Sequence, residues 1–175
     1  GLLRSERLCF TFGGHAAAAP ALPEGFRLQP IDAVTLPLLR GCVTPAFSWD
    51  SDAAFLRGGC GCCILRGTEP VAWAFSSAIG GGRLDVGVET AEPYRGRGLA
   101  RAAAYAMAEM ALQAGLRPVW GCDALNPASA RTAESAGFIL THRHAKYKKA
   151  PVHTRPSTAV QQPFDPCAHS AQSSE

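Results

Sequence analysis

The most constraining feature of this chain is a short strand, a glycine turn and a helix start in direct succession. Leu84-Asp85-Val86-Gly87-Val88 leads into Glu89-Thr90-Ala91-Glu92-Pro93-Tyr94-Arg95-Gly96-Arg97-Gly98-Leu99-Ala100, and a run of alanines, methionines and leucines follows. A strand that turns through glycines into a helix N-terminus directs unpaired backbone N–H groups at one spot. The helix dipole adds positive potential there, so the spot suits a phosphate. Gly96 and Gly98 permit the turn and the approach of an anion, and Arg95 and Arg97 add full charges. The feature reads as a pyrophosphate clamp.

Three phosphate-binding patterns compete for it. A Walker loop needs Lys-Ser or Lys-Thr after the glycines, and none is present. A dinucleotide fingerprint needs G-x-G-x-x-G, and its third glycine position is held by Arg101, too bulky for close helix–strand contact. The pattern [RQ]-x-x-G-x-[GA] is satisfied by Arg95, Gly98 and Ala100. On these residues the segment resembles the acyl-CoA clamp of GNAT-type N-acyltransferases. A later stretch, Asn126-Pro127-Ala128-Ser129 through Gly137-Phe138, resembles the N-x-x-[AS]…G-F segment of the same family. It also has the form of any short capped helix, with Asn126 as N-cap, Pro127 in the first turn and Gly137 as the stop. Its position one strand after the glycine turn is what a bare helix does not explain.

Further residues narrow the resemblance. Trp49, Gly59-Cys60-Gly61-Cys62-Cys63-Ile64-Leu65, Glu89-Thr90, Tyr94-Arg95-Gly96 and Pro118-Val119-Trp120 are similar to the GNAT acetyltransferase branch that includes zwittermicin-resistance-like proteins. The resemblance spans roughly Arg7 to Tyr147. It implies an α/β fold, a GNAT-like mixed, mostly antiparallel sheet flanked by helices, in a single domain. Residues 26–150 are then the acyltransferase domain. Members of that branch are usually longer at the N-terminus and this chain opens at Gly1, so residues 1–25 are read as the end of a longer N-terminal portion. Residues 151–175, rich in Pro, Ser, Gln and Thr, are expected to be disordered.

Strand periodicity and turn chemistry set out the elements. Strands are expected at Arg7–Phe12, Phe26–Ile31, Cys62–Arg66, Val71–Ser77, Arg83–Thr90 and Pro118–Asp123. Helical segments are expected near Asp32–Arg40, where Pro37 disturbs the pattern, at Ser51–Leu56 and at Gly98–Ala114. A strand pair is expected around Phe138–Lys149. Alternation there puts His142, His144, Lys146 and Lys148 on one face, as in a solvated edge strand or a surface that attracts an acidic substrate or the cofactor's ribose phosphate.

The remaining composition excludes several classes. A net charge of +3 over 175 residues is too mild for nucleic-acid binding, and no basic stripe is interleaved with aromatics. Arg101, Glu109 and Gln113 interrupt the longest apolar helix, so no membrane span is expected; Arg4, Glu6 and Arg7 break a signal peptide. A cytoplasmic location follows. The seven cysteines form no second Cys-x-x-Cys and meet no His-x-x-x-His to complete a zinc tetrahedron around Cys60-Gly61-Cys62-Cys63. They read as free thiols in a reducing compartment, and no metal is expected.

The resemblance also implies a chemistry. Acetyl-CoA serves as co-substrate, held through its pyrophosphate by Arg95, Gly96, Arg97, Gly98, Leu99 and Ala100, with Asn126 beside it. Its pantetheine arm pairs with the preceding strand, where a backbone N–H between Val88 and Thr90 polarises the carbonyl. A small-molecule primary amine attacks directly in a ternary complex. Asp85 and Glu89 share one face of the strand about 13 Å apart at 3.3 Å per residue, too far to share a proton. Glu89, nearer the cofactor turn, is the candidate base; it reads equally as a substrate-orienting or surface carboxylate, with Asp123 in reserve. The family's usual tyrosine acid falls on Ala133, whose methyl group has no proton to donate. Ser129, which reads equally as a first-turn helix residue, is the candidate catalytic substitute beside Tyr147 or water, or the thiolate leaves unaided. That loss keeps a second reading open, an acyl-CoA-binding sensor without turnover.

Overall fold

A computed structural model describes residues 2–14 and 19–149. The tail expected to be disordered lies outside the described residues. Seven strands form one sheet: β1 (Leu2–Phe12), β2 (Phe26–Pro30), β3 (Gly61–Arg66), β4 (Glu69–Gly80), β5 (Arg83–Thr90), β6 (Arg117–Asp123) and β7 (Phe138–Lys149), in the order β2-β3-β4-β5-β6-β1-β7. Among the described residues three α-helices accompany them, α1 (Asp52–Gly58), α2 (Leu99–Gln113) and α3 (Pro127–Ser135). Every neighbouring pair is antiparallel except β5–β6.

Local chemistry accounts for most of these elements. The β4–β5 hairpin closes on Gly81 and Gly82 at φ 56° and 70°, the paired positive values that a tight two-residue turn requires. The Ser51 hydroxyl oxygen accepts the Ala54 N–H at 3.1 Å and starts α1. The Asn126 Oδ1 accepts the Ser129 N–H at 3.1 Å and starts α3, with Pro127 in its first turn. Both are side-chain N-caps.

Two expectations are corrected. Asp32–Arg40 contains only a 3-10 turn at Leu36–Leu38. Pro37 supports the first turn but has no N–H to continue a helix, and the Asp32 carboxylate binds the Val34 and Thr35 N–H groups in a local turn instead. The expected closing strand pair is one twelve-residue strand, β7. Its partner is β1, which is longer than its apolar pattern and pairs with β7 from Leu2↔Lys149 to Phe12↔Phe138. β1 also pairs with β6 from Arg7↔Asp123 to Thr11↔Val119. One N-terminal strand thus joins two C-terminal ones, and β7 forms the outer strand.

Two apolar clusters hold the sheet. On one face Phe10, Ile64, Leu84, Trp120 and Phe138 pack with Leu99, Met107 and the small Ala103, Ala104, Ala108 and Ala111 of α2, which let the helix lie close to the strands. On the other face Phe55, Trp73, Phe75, Cys63 and Leu65 pack under Leu36, Leu39 and Trp49. Among the described residues no helix is long and apolar enough to cross a membrane.

Gly87 of β5 lies directly beneath the Phe75 ring; an added Cβ there would stand 2.7 Å from the ring. Phe75 is fully buried, so overpacking is expected to cost about 1–3 kcal/mol. Thermal unfolding of Gly87→Ala should show a midpoint lowered by several degrees; an unchanged midpoint would mean that the ring moves freely.

Candidate active site

The cleft arises because β5 and β6 part. Their parallel pairing covers only Arg83↔Arg117, Leu84↔Pro118 and Asp85↔Val119. Beyond that, β5 stays with β4 as far as Ala72↔Thr90, and β6 stays with β1. From Val86 to Thr90 the β6-side edge of β5 has no strand partner. A cleft of ≈ 900 Å³ opens there, lined by both strands and the start of α2. An unpaired strand edge inside a cleft offers N–H and C=O groups to an extended, amide-containing ligand.

The glycine turn closes one end. Gly96 and Gly98 have φ 75° and 76°, and a Cβ at either would meet no protein atom within 4 Å. The left-handed backbone, not crowding, requires glycine at these two positions. Gly98 is the N-cap of α2, and no side chain caps its first turn, so the N–H groups there remain available to an anion. The turn is anchored from outside: the Tyr94 hydroxyl donates to Glu69 Oε2 at 3.3 Å, and its ring packs edge-on to Phe26.

The expected cofactor residues do not all converge. Val88, Thr90, Arg95, Gly96, Gly98, Leu99, Ala100 and Asn126 line the cleft. Arg97 does not; its guanidinium lies over the Tyr94 ring, 5.7 Å from the centroid. The Arg95 Nε donates to the Thr90 carbonyl at 3.3 Å, which braces the turn. Thr90 is informative in another way: its hydroxyl is buried and has no hydrogen-bond partner, although it borders the cleft. Arg101 and Arg131 also line the cleft, and the sequence pattern had assigned neither to it. Their spacing from Arg95 carries no motif, and only the convergence of α2 and α3 brings them together.

Three carboxylates also line the cleft, Asp85, Glu89 and Asp123. Glu89 Oε2 accepts the Val43 N–H at 2.6 Å, while the Trp73 indole donates to the Val43 carbonyl at 2.7 Å. The Glu89 carboxylate also fills the space that a side chain at Gly41 would need. Asp123 Oδ1 accepts the Leu125 N–H at 2.9 Å in a local turn. Asp85, farther from the turn than Glu89, is held in a partly buried environment. A bulge in β4 between Ser76 and Ala78 turns Ser77 toward it, and the Ser77 hydroxyl lies 2.9 Å from Asp85 Oδ2. Burial pushes the Asp85 carboxyl above its usual range, against the opposing pull of Ser77 and the Arg7 guanidinium. That guanidinium rests on Gly121 of β6, where no side chain intervenes, and borders the same cleft.

Ser129, the expected leaving-group acid, accepts the Trp120 indole N–H at 3.1 Å and borders the cleft. Its hydroxyl also faces the Cys122 thiol, a second partner within the cleft lining. Tyr147 is exposed far along β7, opposite Arg4, and is not part of the cleft lining. Ala133 is fully buried in the core under α3.

Comparison with known proteins bears on this arrangement. A family model described as GNAT acetyltransferase matches residues 10–147. The chain belongs to the GNAT acetyltransferase family. It is 30% identical over 128 residues to the uncharacterized N-acetyltransferase YdfB of Bacillus subtilis (strain 168), an alignment covering 72% of this chain and 49% of that protein. The chain therefore spans about half the length of this curated relative. Among solved structures it is similar to a GCN5-related N-acetyltransferase-like protein from Streptococcus suis 89/1591, with a TM-score of 0.71 and 27% identity over 85% of this chain and 62% of that one. The fold is also shared with the aminoglycoside N-acetyltransferase AAC(6′)-Iy, solved in complex with CoA, at a TM-score of 0.53 and 19% identity over 74% of this chain and 99% of that one. The α/β fold with a mostly antiparallel GNAT-like sheet is thus as the residues implied.

The raised Asp85 carboxyl yields a signed prediction. Burial disfavours its charged form, so wild-type stability should fall as pH rises from the unfolded value of about 3.9 through the raised folded value. Asp85→Asn removes that charge and can still accept the Ser77 hydroxyl. The variant should gain in unfolding midpoint over wild type at pH 7 and lose that advantage at pH 3. Equal differences at both pH values would show that the carboxylate is well solvated.

Proposed function

We propose that the chain is the catalytic domain of an N-acetyltransferase that moves the acetyl group of acetyl-CoA to a small-molecule primary amine. The observation that carries this reading is the unpaired β5 edge, Val86–Thr90, ending at the uncapped N-terminus of α2. An acyl-CoA combines a pyrophosphate with an extended, amide-bearing arm. A helix N-terminus flanked by Arg95, Arg101 and Arg131 fits the first, and an open strand edge fits the second. The orphaned Thr90 hydroxyl supplies one further hydrogen bond. CoA bound to AAC(6′)-Iy supports the same assignment by shared fold.

The reaction is direct attack in a ternary complex. The amine nitrogen bonds to the thioester carbon, a backbone N–H between Val88 and Thr90 stabilises the oxyanion, and the carbon–sulfur bond breaks. Glu89 takes the amine proton, directly or through water; its hydrogen bond from Val43 holds the carboxylate at the cleft wall. The Ser129 hydroxyl, oriented by Trp120, or water protonates the departing thiolate. Asp85, farther from the turn than Glu89, and Asp123, across the cleft on β6, favour an ammonium-bearing acceptor. The six described cysteines are all unpaired, which fits a reducing, cytoplasmic setting.

One observation favours a second reading, an acyl-CoA sensor without turnover. The position of the family's tyrosine acid is Ala133, fully buried, so no acid reaches the thiolate from there. Incubation with acetyl-CoA and a panel of primary amines, read by mass spectrometry, separates the two. An acetylated product supports the enzyme; acetyl-CoA binding without product across the panel supports the sensor.

Two variants test the roles. Ala100→Trp fills the anion site from a normal helical backbone, avoiding the strain that a side chain at Gly98 would bring; acetyl-CoA affinity should be lost with the fold retained. Glu89→Gln should lower turnover about 100-fold or more while acetyl-CoA affinity stays within twofold. An unchanged rate across pH would remove Glu89 as the base.

A further inference from the structure

Outside the cleft, the β1–β7 ladder assembles a side-chain cluster that no motif announces. Cys9 and His144 are 135 residues apart in the chain, yet Cys9 pairs directly with His142 and lies diagonally from His144. Directly opposed residues of antiparallel strands share a face, and so do residues two apart on one strand. Cys9, His142 and His144 therefore project together from the same face. One ligand atom from each lies within 4.8 Å of the other two.

The network around them orients the rings. β7 bulges beside Cys9, placing Thr141 out of register. The Thr141 hydroxyl donates its single proton to the Cys9 carbonyl at 3.0 Å. It therefore acts as acceptor toward His142 Nδ1, 3.1 Å away. That contact requires the Nδ1–H tautomer and leaves the Nε2 lone pair of His142 free. A hydrogen bond from the second ring nitrogen is the outer contact that commonly orients a metal-binding histidine. The Cys9 Sγ lies 3.5 Å from His144 Nδ1, a contact in which a metal ion would replace the thiol proton.

We propose that Cys9, His142 and His144 form a binding site for a borderline-soft divalent transition metal of the Zn²⁺ class, with a fourth position open to water. One thiolate and two imidazoles suit zinc and its neighbours and disfavour the oxygen-seeking Mg²⁺ and Ca²⁺. Ligand distances of about 2.0–2.3 Å in a tetrahedron put donor atoms about 3.3–3.8 Å apart. The two exposed imidazoles need only side-chain rotation to draw in from the present spacing. The site ties the N-terminal strand to the outer strand β7, so bound metal would add a cross-strand brace on the exposed face, beside the Arg143–Glu6 ion pair at 3.2 Å. This proposal stands independently of the acetyltransferase reading.

The test is spectroscopic titration of the full chain with Co²⁺, followed by displacement with Zn²⁺. One Co²⁺ per chain is expected, with a thiolate-to-cobalt charge-transfer band and the visible bands of a four-coordinate ion, all abolished by Zn²⁺. Cys9→Ser should lose the charge-transfer band. His142→Gln and His144→Gln, changes at exposed positions that leave the core intact, should each weaken binding about tenfold or more. A Cys42→Ser variant should bind as wild type does, which separates the site from that exposed thiol. No Co²⁺ uptake by the wild type, a band that persists in Cys9→Ser, or undiminished affinity in both histidine variants would overturn the proposal.

Discussion

The structure depends on a parallel pairing that stops early. β5 and β6 hold together for three residue pairs and then separate, while each stays paired on its other side. β5 is fastened to β4 down to Thr90, and β6 is fastened to β1 from Val119 to Asp123. Two well-bonded half-sheets thus diverge from a common hinge, and the gap contains β5 edge with no strand partner. Unpaired backbone groups in a cleft favour a ligand that can bond to them. The glycine turn, the uncapped α2 terminus and the orphaned Thr90 hydroxyl all lie at this gap.

β1 makes the divergence possible. Without it, β6 would have no partner beyond Val119 and β7 would have none at all. The same strand carries Arg7 to the cleft and Cys9 to the β7 face, so one element serves the core, the candidate acceptor end and the proposed metal site. Leu8, Phe10 and Phe12 bury its other face against the α2 and α3 side of the sheet.

What the sequence made legible was local. The β5 limits, the positive-φ glycines, the Asn126 cap and the alternation that puts Asp85 and Glu89 on one face all follow from nearest-neighbour chemistry, and each is present. What it did not reveal depends on contacts across the chain. β1 extends to Leu2 because β7 pairs with it, not because its first residues alternate. Asp85 is perturbed by a bulge at Ser77 and by an arginine from β1, neither of which has a spacing signature. Arg97, expected to add charge at the phosphate, lies over the Tyr94 ring, since a neighbouring aromatic face competes for its guanidinium. Arg101 weighed against a dinucleotide site, and the same residue lines the cleft.

The central claim is that the open β5 edge and the first turn of α2 together hold the acyl-CoA. Amide hydrogen exchange, followed with and without acetyl-CoA, addresses it directly. The account predicts slowed exchange concentrated at amides within Val86–Thr90 and at Leu99, Ala100 and Arg101, with little change in β2, β3 or β7. Acetyl-CoA binding that protects other segments while leaving these amides unchanged would contradict it.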